Sequence, residues 1–138
     1  MDVQAYLSFQ GRAQEALDFY ASAIGAKVDM VMRFKDGPPE MQSQIAPEMK
    51  DKVMHAAFHV GKTQLMATDG DCNNTPTFSG VSLTLNAGSN DEAEKLFAAL
   101  GQGGKVTMPM SETFFAHRFG VLADKFGVKW MVLNPKNP

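Results

Sequence analysis

The hydrophobic pattern switches between a period of two and a period near 3.6, and each switch marks a change of element. In "AYLSFQ" (5–10), Leu7 and Phe9 alternate with Tyr6 and Ser8, which predicts a strand. In "RAQEALDFYASAIG" (12–25), Ala16, Leu17, Tyr20 and Ile24 recur at helical spacing, with Gly25 as the C-terminal stop. A strand follows over 27–34. The next stretch, "KDGPPEMQSQIAPEMKDK" (35–52), keeps neither period and predicts a long loop with a short helical turn. "VMHAAFHV" (53–60) and "TQLMATD" (63–69) form a hairpin through Gly61-Lys62, and a polar linker follows. "GVSLTLN" (80–86) is a strand. "SNDEAEKLFAALGQGG" (89–104) is a helix with Ser89 as N-cap and Glu92 completing a capping box. A strand over 105–114 and a hairpin over 116–135, turning at Asp124 to Gly127, complete the pass.

The second half repeats the first. "LSFQ" (7–10) matches "LTLN" (83–86), Glu15-Ala16 matches Glu92-Ala93, and "KVDMVM" (27–32) matches "KVTMPM" (105–110). Each half reads strand-helix-strand-strand-strand. The expected fold is α+β: one domain over 1–138 built from two βαβββ modules, 1–70 and 78–135.

"HAAFH" (55–59) holds two of the chain's three histidines at a spacing of four. On a helix this would be a metal-binding pair. The period-2 alternation of Met54, Ala56, Phe58 and Val60 with His55, Ala57 and His59 makes it a strand instead. Residues four apart on a strand share a face but lie ~13 Å apart, too far for one zinc at about 2.0–2.1 Å from each nitrogen. His55 and His59 therefore line a semi-polar face opposite a buried one.

Composition narrows the partners. The chain has 138 residues, is 44% hydrophobic, and carries a net charge of −2, which suits one globular domain. No Lys/Arg run is present, so nucleic acid is not an expected partner. No apolar run approaches the ~20 residues of a membrane span, and the N-terminus lacks a signal-peptide pattern. A single cysteine, Cys72, points to a reducing cytoplasm. Ten methionines suit an adaptable core or an apolar ligand pocket.

Three stretches, "LSFQGRAQEALDFY" (7–20), "HAAFHVGKTQLMATD" (55–69) and "ETFFAHRFGVLADKFGVKWM" (112–131), together resemble the PhnB-like branch of the vicinal oxygen chelate superfamily. That superfamily includes glyoxalase I, bleomycin-resistance proteins and extradiol dioxygenases. The resemblance implies two βαβββ modules curling their sheets around a shared cleft, often in a homodimer. Four metal-ligand positions would fall at Gln4 (or Ala5 on a one-residue slip), Gly80, Met131 and near Leu65 or Met66. Of these only Gln4 suits a hard or borderline metal, since glycine has no side chain and methionine is soft. No metal and no other cofactor is therefore expected. Some proteins of this branch carry a ubiquinone-methyltransferase label. Here "GQGGK" (101–105) follows a helix, and Val106 stands where a phosphate loop needs Ser or Thr.

Alternation assigns the cleft face. Gln4, Tyr6, Ser8, His55, His59, Ser82, Thr84, Lys129 and Met131 point inward if Leu83, Leu85, Trp130 and Val132 pack on their helix. A one-residue slip would reverse each strand. His117 stands in "FFAHRF" with Phe115 and Phe119 on its face and Arg118 opposite, a setting for a general base or for a hydrogen-bonded core residue. Glu112 and Thr113 offer an acid and a hydroxyl just upstream. Asp124 reads as a turn residue. Cys72 has no local basic partner to activate it.

Three functions follow. The chain binds a small, partly apolar molecule in the cleft through Gln4, Tyr6, His59, Ser82, Thr84, Phe115, Phe119 and Met131. Alternatively it is a metal-independent isomerase or lyase with His117 or His55 as acid-base. Thirdly, it is a metalloenzyme with a displaced site of His55, His117 and Glu112. The loop over 36–52 presents Met41, Ile45 and Met49 at spacing four, with Glu40, Glu48 and Lys50 towards water, and reads as a lid over such a ligand or as a solvated excursion.

Overall fold

The computed structural model describes residues 1–137. The chain divides into two compact units, residues 1–76 and residues 77 onward.

In unit one, β1 (Tyr6–Ser8) leads to helix α1 (Ala13–Ile24), then to β2 (Lys27–Arg33), β3 (Val53–Val60) and β4 (Thr63–Thr68). The sheet order is β1-β4-β3-β2. β1 and β4 run parallel; the other pairs are antiparallel. Helix α1 buries Ala13, Ala16, Leu17 and Tyr20. Tyr20 stacks on Phe58 of β3, with ring centroids 6.1 Å apart and planes 11° from parallel. That contact fixes the even-numbered residues of β3 beneath the helix. Gly25 ends α1 in the left-handed region at φ 68, as its place in the sequence predicts.

The start of α1 is held by a side chain that is distant in sequence. Arg12 provides no side-chain cap. Asp69, buried just beyond β4, accepts the Gly11 and Ala13 N–H on Oδ1 at 2.9 and 2.7 Å, and the Val53 N–H on Oδ2 at 2.7 Å. One carboxylate thus satisfies orphan donors of the helix N-terminus and joins it to two strands.

Unit two repeats the plan: β5 (Leu83–Asn86), a helix over Asn90–Leu100, β6 (Lys105–Ser111), β7 (Ala116–Ala123) and β8 (Lys129–Pro135). Its sheet order is β5-β8-β7-β6, with β5 and β8 parallel. Each unit therefore has the same βαβββ path that the internal repeat predicts. Trp130, Val132 and Leu122 are buried. Arg118 of β7 pairs with Glu94 of the helix at 3.3 Å, and Asn134 of β8 donates to Asn90 at 3.0 Å. These contacts mark the helix side of the sheet. Ser89 Oγ accepts the Glu92 N–H at 3.1 Å, and Glu92 Oε1 returns to the N–H of Gly88 at 3.0 Å. The capping box thus reaches one residue further back than its usual form.

Two strand boundaries differ by three residues from the sequence reading, whereas the short helical turn expected in the 35–52 loop is present. β5 begins at Leu83 because Gly80 takes φ 77, outside the extended region. β6 ends at Ser111, where the Thr113 hydroxyl accepts the Phe115 and Ala116 N–H groups and turns the chain. The loop after β2 holds a short helix, α2 (Pro39–Gln42), so the helix over Asn90–Leu100 is α3. Two 3-10 turns, Phe34–Asp36 and Pro47–Met49, flank α2.

Candidate functional site

Each sheet has a second face, opposite its helix, and the predicted site residues fall mainly there. In sheet one the register places Tyr6 beside Met66, Met66 beside Ala57, Gln64 beside His59, and Met32 beside His55. These residues share the face away from α1. His55 and His59 lie on it as the alternation predicts, half-buried, while Ala56 and Phe58 are buried on the other side.

Two polar arrangements occupy this face. Tyr6 OH lies 3.1 Å from His55 Nδ1, and the rings meet edge to face at 5.4 Å. Beside them runs a row that crosses the sheet. Gln4 Nε2 donates to Gln64 Oε1 at 2.9 Å, Gln64 Nε2 donates to Asp29 Oδ2 at 3.1 Å, and His59 Nδ1 lies 2.5 Å from the same oxygen. Asp29 sits where the β2–β3 register shifts between Val28 and Met30, a bulge that re-aims its side chain. The Gln64 hydrogen bond, with those of His59 and the charge of Lys27, holds the Asp29 carboxyl below its ordinary range. Tyr6, Met30 and Met32 add exposed apolar surface, at 52%, 38% and 38%.

Asp29 and Gln64 are functional candidates that the sequence reading misses. Gln64 follows the hairpin turn on the strand that pairs with His59, so its register was within reach. Asp29 was not, because the bulge breaks the alternation that assigns faces.

In sheet two, Thr84 pairs with Met131 on the face opposite α3. Met131 and Val121 pack against a buried cluster of Ala116, Phe119 and Leu133 on that face. Ser82 is exposed and precedes β5. Phe115 meets Phe119 edge to face at 5.2 Å. His117 is exposed and sits at the register shift between Ala116 and Arg118. Glu112 is held by Lys136 at 3.0 Å, which lowers its carboxyl, with smaller contributions from His117 and Arg118. His55 belongs to unit one, and Glu112 and His117 belong to unit two. Among the described residues, no group of three or more His, Cys, Asp or Glu is placed to hold a metal ion.

Of the inherited ligand positions, Gln4 lies in the polar row, Met66 shares its face, and Leu65 pairs with Phe58 beneath α1. Asp124 is in the turn, its carbonyl accepting the Gly127 N–H, and its carboxylate is also buried. Burial raises the Cys72 thiol, which removes it further from thiolate chemistry. No helix among the described residues is long and apolar enough to cross a membrane.

A family model described as 3-demethylubiquinone-9 3-methyltransferase matches residues 1–133. Protein YjdN of Escherichia coli is 30% identical over 96% of this chain and 94% of its own length. The crystal structure of protein PA1353 from Pseudomonas aeruginosa is 37% identical, covers 99% of both chains, and superposes with a TM-score of 0.83. A PhnB protein from Bacillus cereus, 28% identical, covers 97% of this chain and 99% of its own with a TM-score of 0.80. A glyoxylase/bleomycin resistance protein/dioxygenase domain from Frankia shares the fold at 16% identity, a TM-score of 0.61, and coverage of 97% and 94%.

Proposed function

This chain belongs to the PhnB-like 3-demethylubiquinone-9 3-methyltransferase family, with the glyoxalase/bleomycin-resistance/dioxygenase fold, and we propose on that premise that it binds a small, partly apolar molecule. The observation that carries this reading is the mixed chemistry of the face opposite α1. There the Tyr6–His55 pair and the Gln4–Gln64–Asp29–His59 row stand beside exposed Met30 and Met32. Such a surface combines apolar contact with a few oriented polar groups, as small-molecule sites do. Thr84, Met131, Phe115 and Phe119 supply the corresponding surface in unit two.

A second reading, metal-independent acid-base chemistry, is favoured at His55, whose ring nitrogen is already bonded to the Tyr6 hydroxyl. The displaced metal set is less favoured, because the Lys136 ammonium engages Glu112. The glycine-rich stretch at 101–104 closes α3 instead of opening a phosphate-binding turn. We also propose that the protein is a cytoplasmic homodimer, since β1, β2, β5 and β6 are the edge strands of their sheets and an edge strand is a pairing template.

Titration with the neutral dye N-phenyl-1-naphthylamine tests the binding reading. Saturable fluorescence enhancement is expected, weakened about tenfold by Tyr6→Ala or Met131→Ala through lost apolar contact. Enhancement that neither saturates nor responds to either substitution overturns it.

A further inference from the structure

We propose that His59, fixed as its Nδ1–H tautomer by Asp29, presents Nε2 as an acceptor for a hydroxyl of the ligand, so that the site takes neutral aromatic alcohols in preference to carboxylates. The inference rests on the binding function proposed above and adds a ligand class to it.

Hydrogen-bond direction along the row carries the argument. An ionised carboxylate accepts only, and Asp29 stays ionised at neutral pH because its neighbours favour the charged form. The group facing it at 2.5 Å, His59 Nδ1, must therefore be the donor. In a neutral imidazole the other nitrogen is then the acceptor, since the bond made by one ring nitrogen sets the role of the other. The same carboxylate orients the amides. Gln64 must turn its NH2 towards Asp29, which leaves its Oε1 for the NH2 of Gln4. The Gln4 carbonyl oxygen is then the free end of the chain.

Both ends of the row thus present acceptors, His59 Nε2 and Gln4 Oε1, around a central negative charge. A ligand with hydroxyl donors completes the row. A carboxylate or phosphate meets two lone pairs and the Asp29 charge, which Lys27, the smallest influence on Asp29, offsets only in part, and is disfavoured. Met30 and Met32 on the same face, with the Tyr6 ring, suit an aromatic body. Asp29 acts here as a positioning residue, and it acts through His59.

Long-range nitrogen NMR of the histidine rings reads this directly. Free wild-type protein is expected to show His59 as the Nδ1–H tautomer, with that preference lost in Asp29→Leu. Phenol is expected to shift the His59 ring resonances, and benzoate to leave them in place. An Nε2–H tautomer in the wild type, or an equal response to benzoate, overturns the proposal. If phenol leaves His59 unmoved while N-phenyl-1-naphthylamine still binds, the proposal fails and the binding function stands. If neither compound binds, both fail.

Discussion

The indole Nε1–H of Trp130 donates to Asp124 Oδ2 at 2.9 Å, and both residues are 3% exposed. Asp124 Oδ1 accepts the Phe126 and Val128 N–H groups at 2.9 and 3.0 Å. One buried carboxylate thus shapes the β7–β8 turn and anchors the large ring on the helix side of sheet two.

Asp124→Ala removes the three hydrogen bonds that this buried carboxylate accepts. Losing each costs about 1–3 kcal/mol, so a loss of about 3 kcal/mol or more is expected in urea unfolding. Trp130→Tyr, which loses the indole donor but keeps a ring, is expected to cost less. Near-equal stability of Asp124→Ala and the wild type would contradict this account of the turn.

Gly120 illustrates close packing between α3 and its sheet. A Cβ there would stand 2.6 Å from both Met110 Sδ and Phe97 Cε1. The methionine can yield, whereas the Phe97 ring is buried and held by the helix. Gly120→Ala is expected to cost about 1–3 kcal/mol by overpacking, measured as a lowered denaturation midpoint at unchanged slope.

The elements were legible in the sequence, because amphipathic period and caps are local signals. Tyr20 and Phe58 sit at positions that periodicity alone puts inside, and Gly25 and Ser89 mark helix ends as their types predict. The assignment of His55 and His59 to one face followed from the same alternation. Residues that act at a distance in sequence were not legible. Asp69 caps a helix more than fifty residues upstream, and nothing near it in the chain announces that role. Asp29 and His117 both lie at register shifts. A bulge is a tertiary choice, and it interrupts the alternation on which face assignment depends.

The Asp29 carboxyl should titrate below its ordinary value of about 3.9, chiefly through the Gln64 hydrogen bond. A depressed folded value means that its contribution is complete above the unfolded value and is lost as pH falls through the folded one. Carbon-detected NMR titration is expected to show a midpoint that rises towards the ordinary value in Gln64→Leu. An unchanged midpoint would remove Gln64 from the row.

The loop over 36–52 is bound mainly to its own ends. Gln42 donates to the Phe34 and Gly37 carbonyls, and Lys35 pairs with Asp51. Met41, Ile45 and Met49 are half-buried, with Glu40 and Glu48 exposed; Lys50, expected towards water with them, is half-buried. If the loop is a lid, replacing residues 37–50 by a short glycine-serine link should weaken dye binding and leave the melting temperature nearly unchanged. Hydrogen exchange in the loop should slow when the dye is bound. Exchange that does not respond to the dye would refute the lid.

The central claim, that the faces opposite the helices hold a small molecule, is tested most directly by methyl NMR during titration with N-phenyl-1-naphthylamine. Met30, Met66 and Met131 methyls should shift and saturate, while Leu17 and Leu100, buried on the two helices, stay in place. Shifts confined to Leu17 and Leu100, or shifts of the three methionines that never saturate, would contradict it.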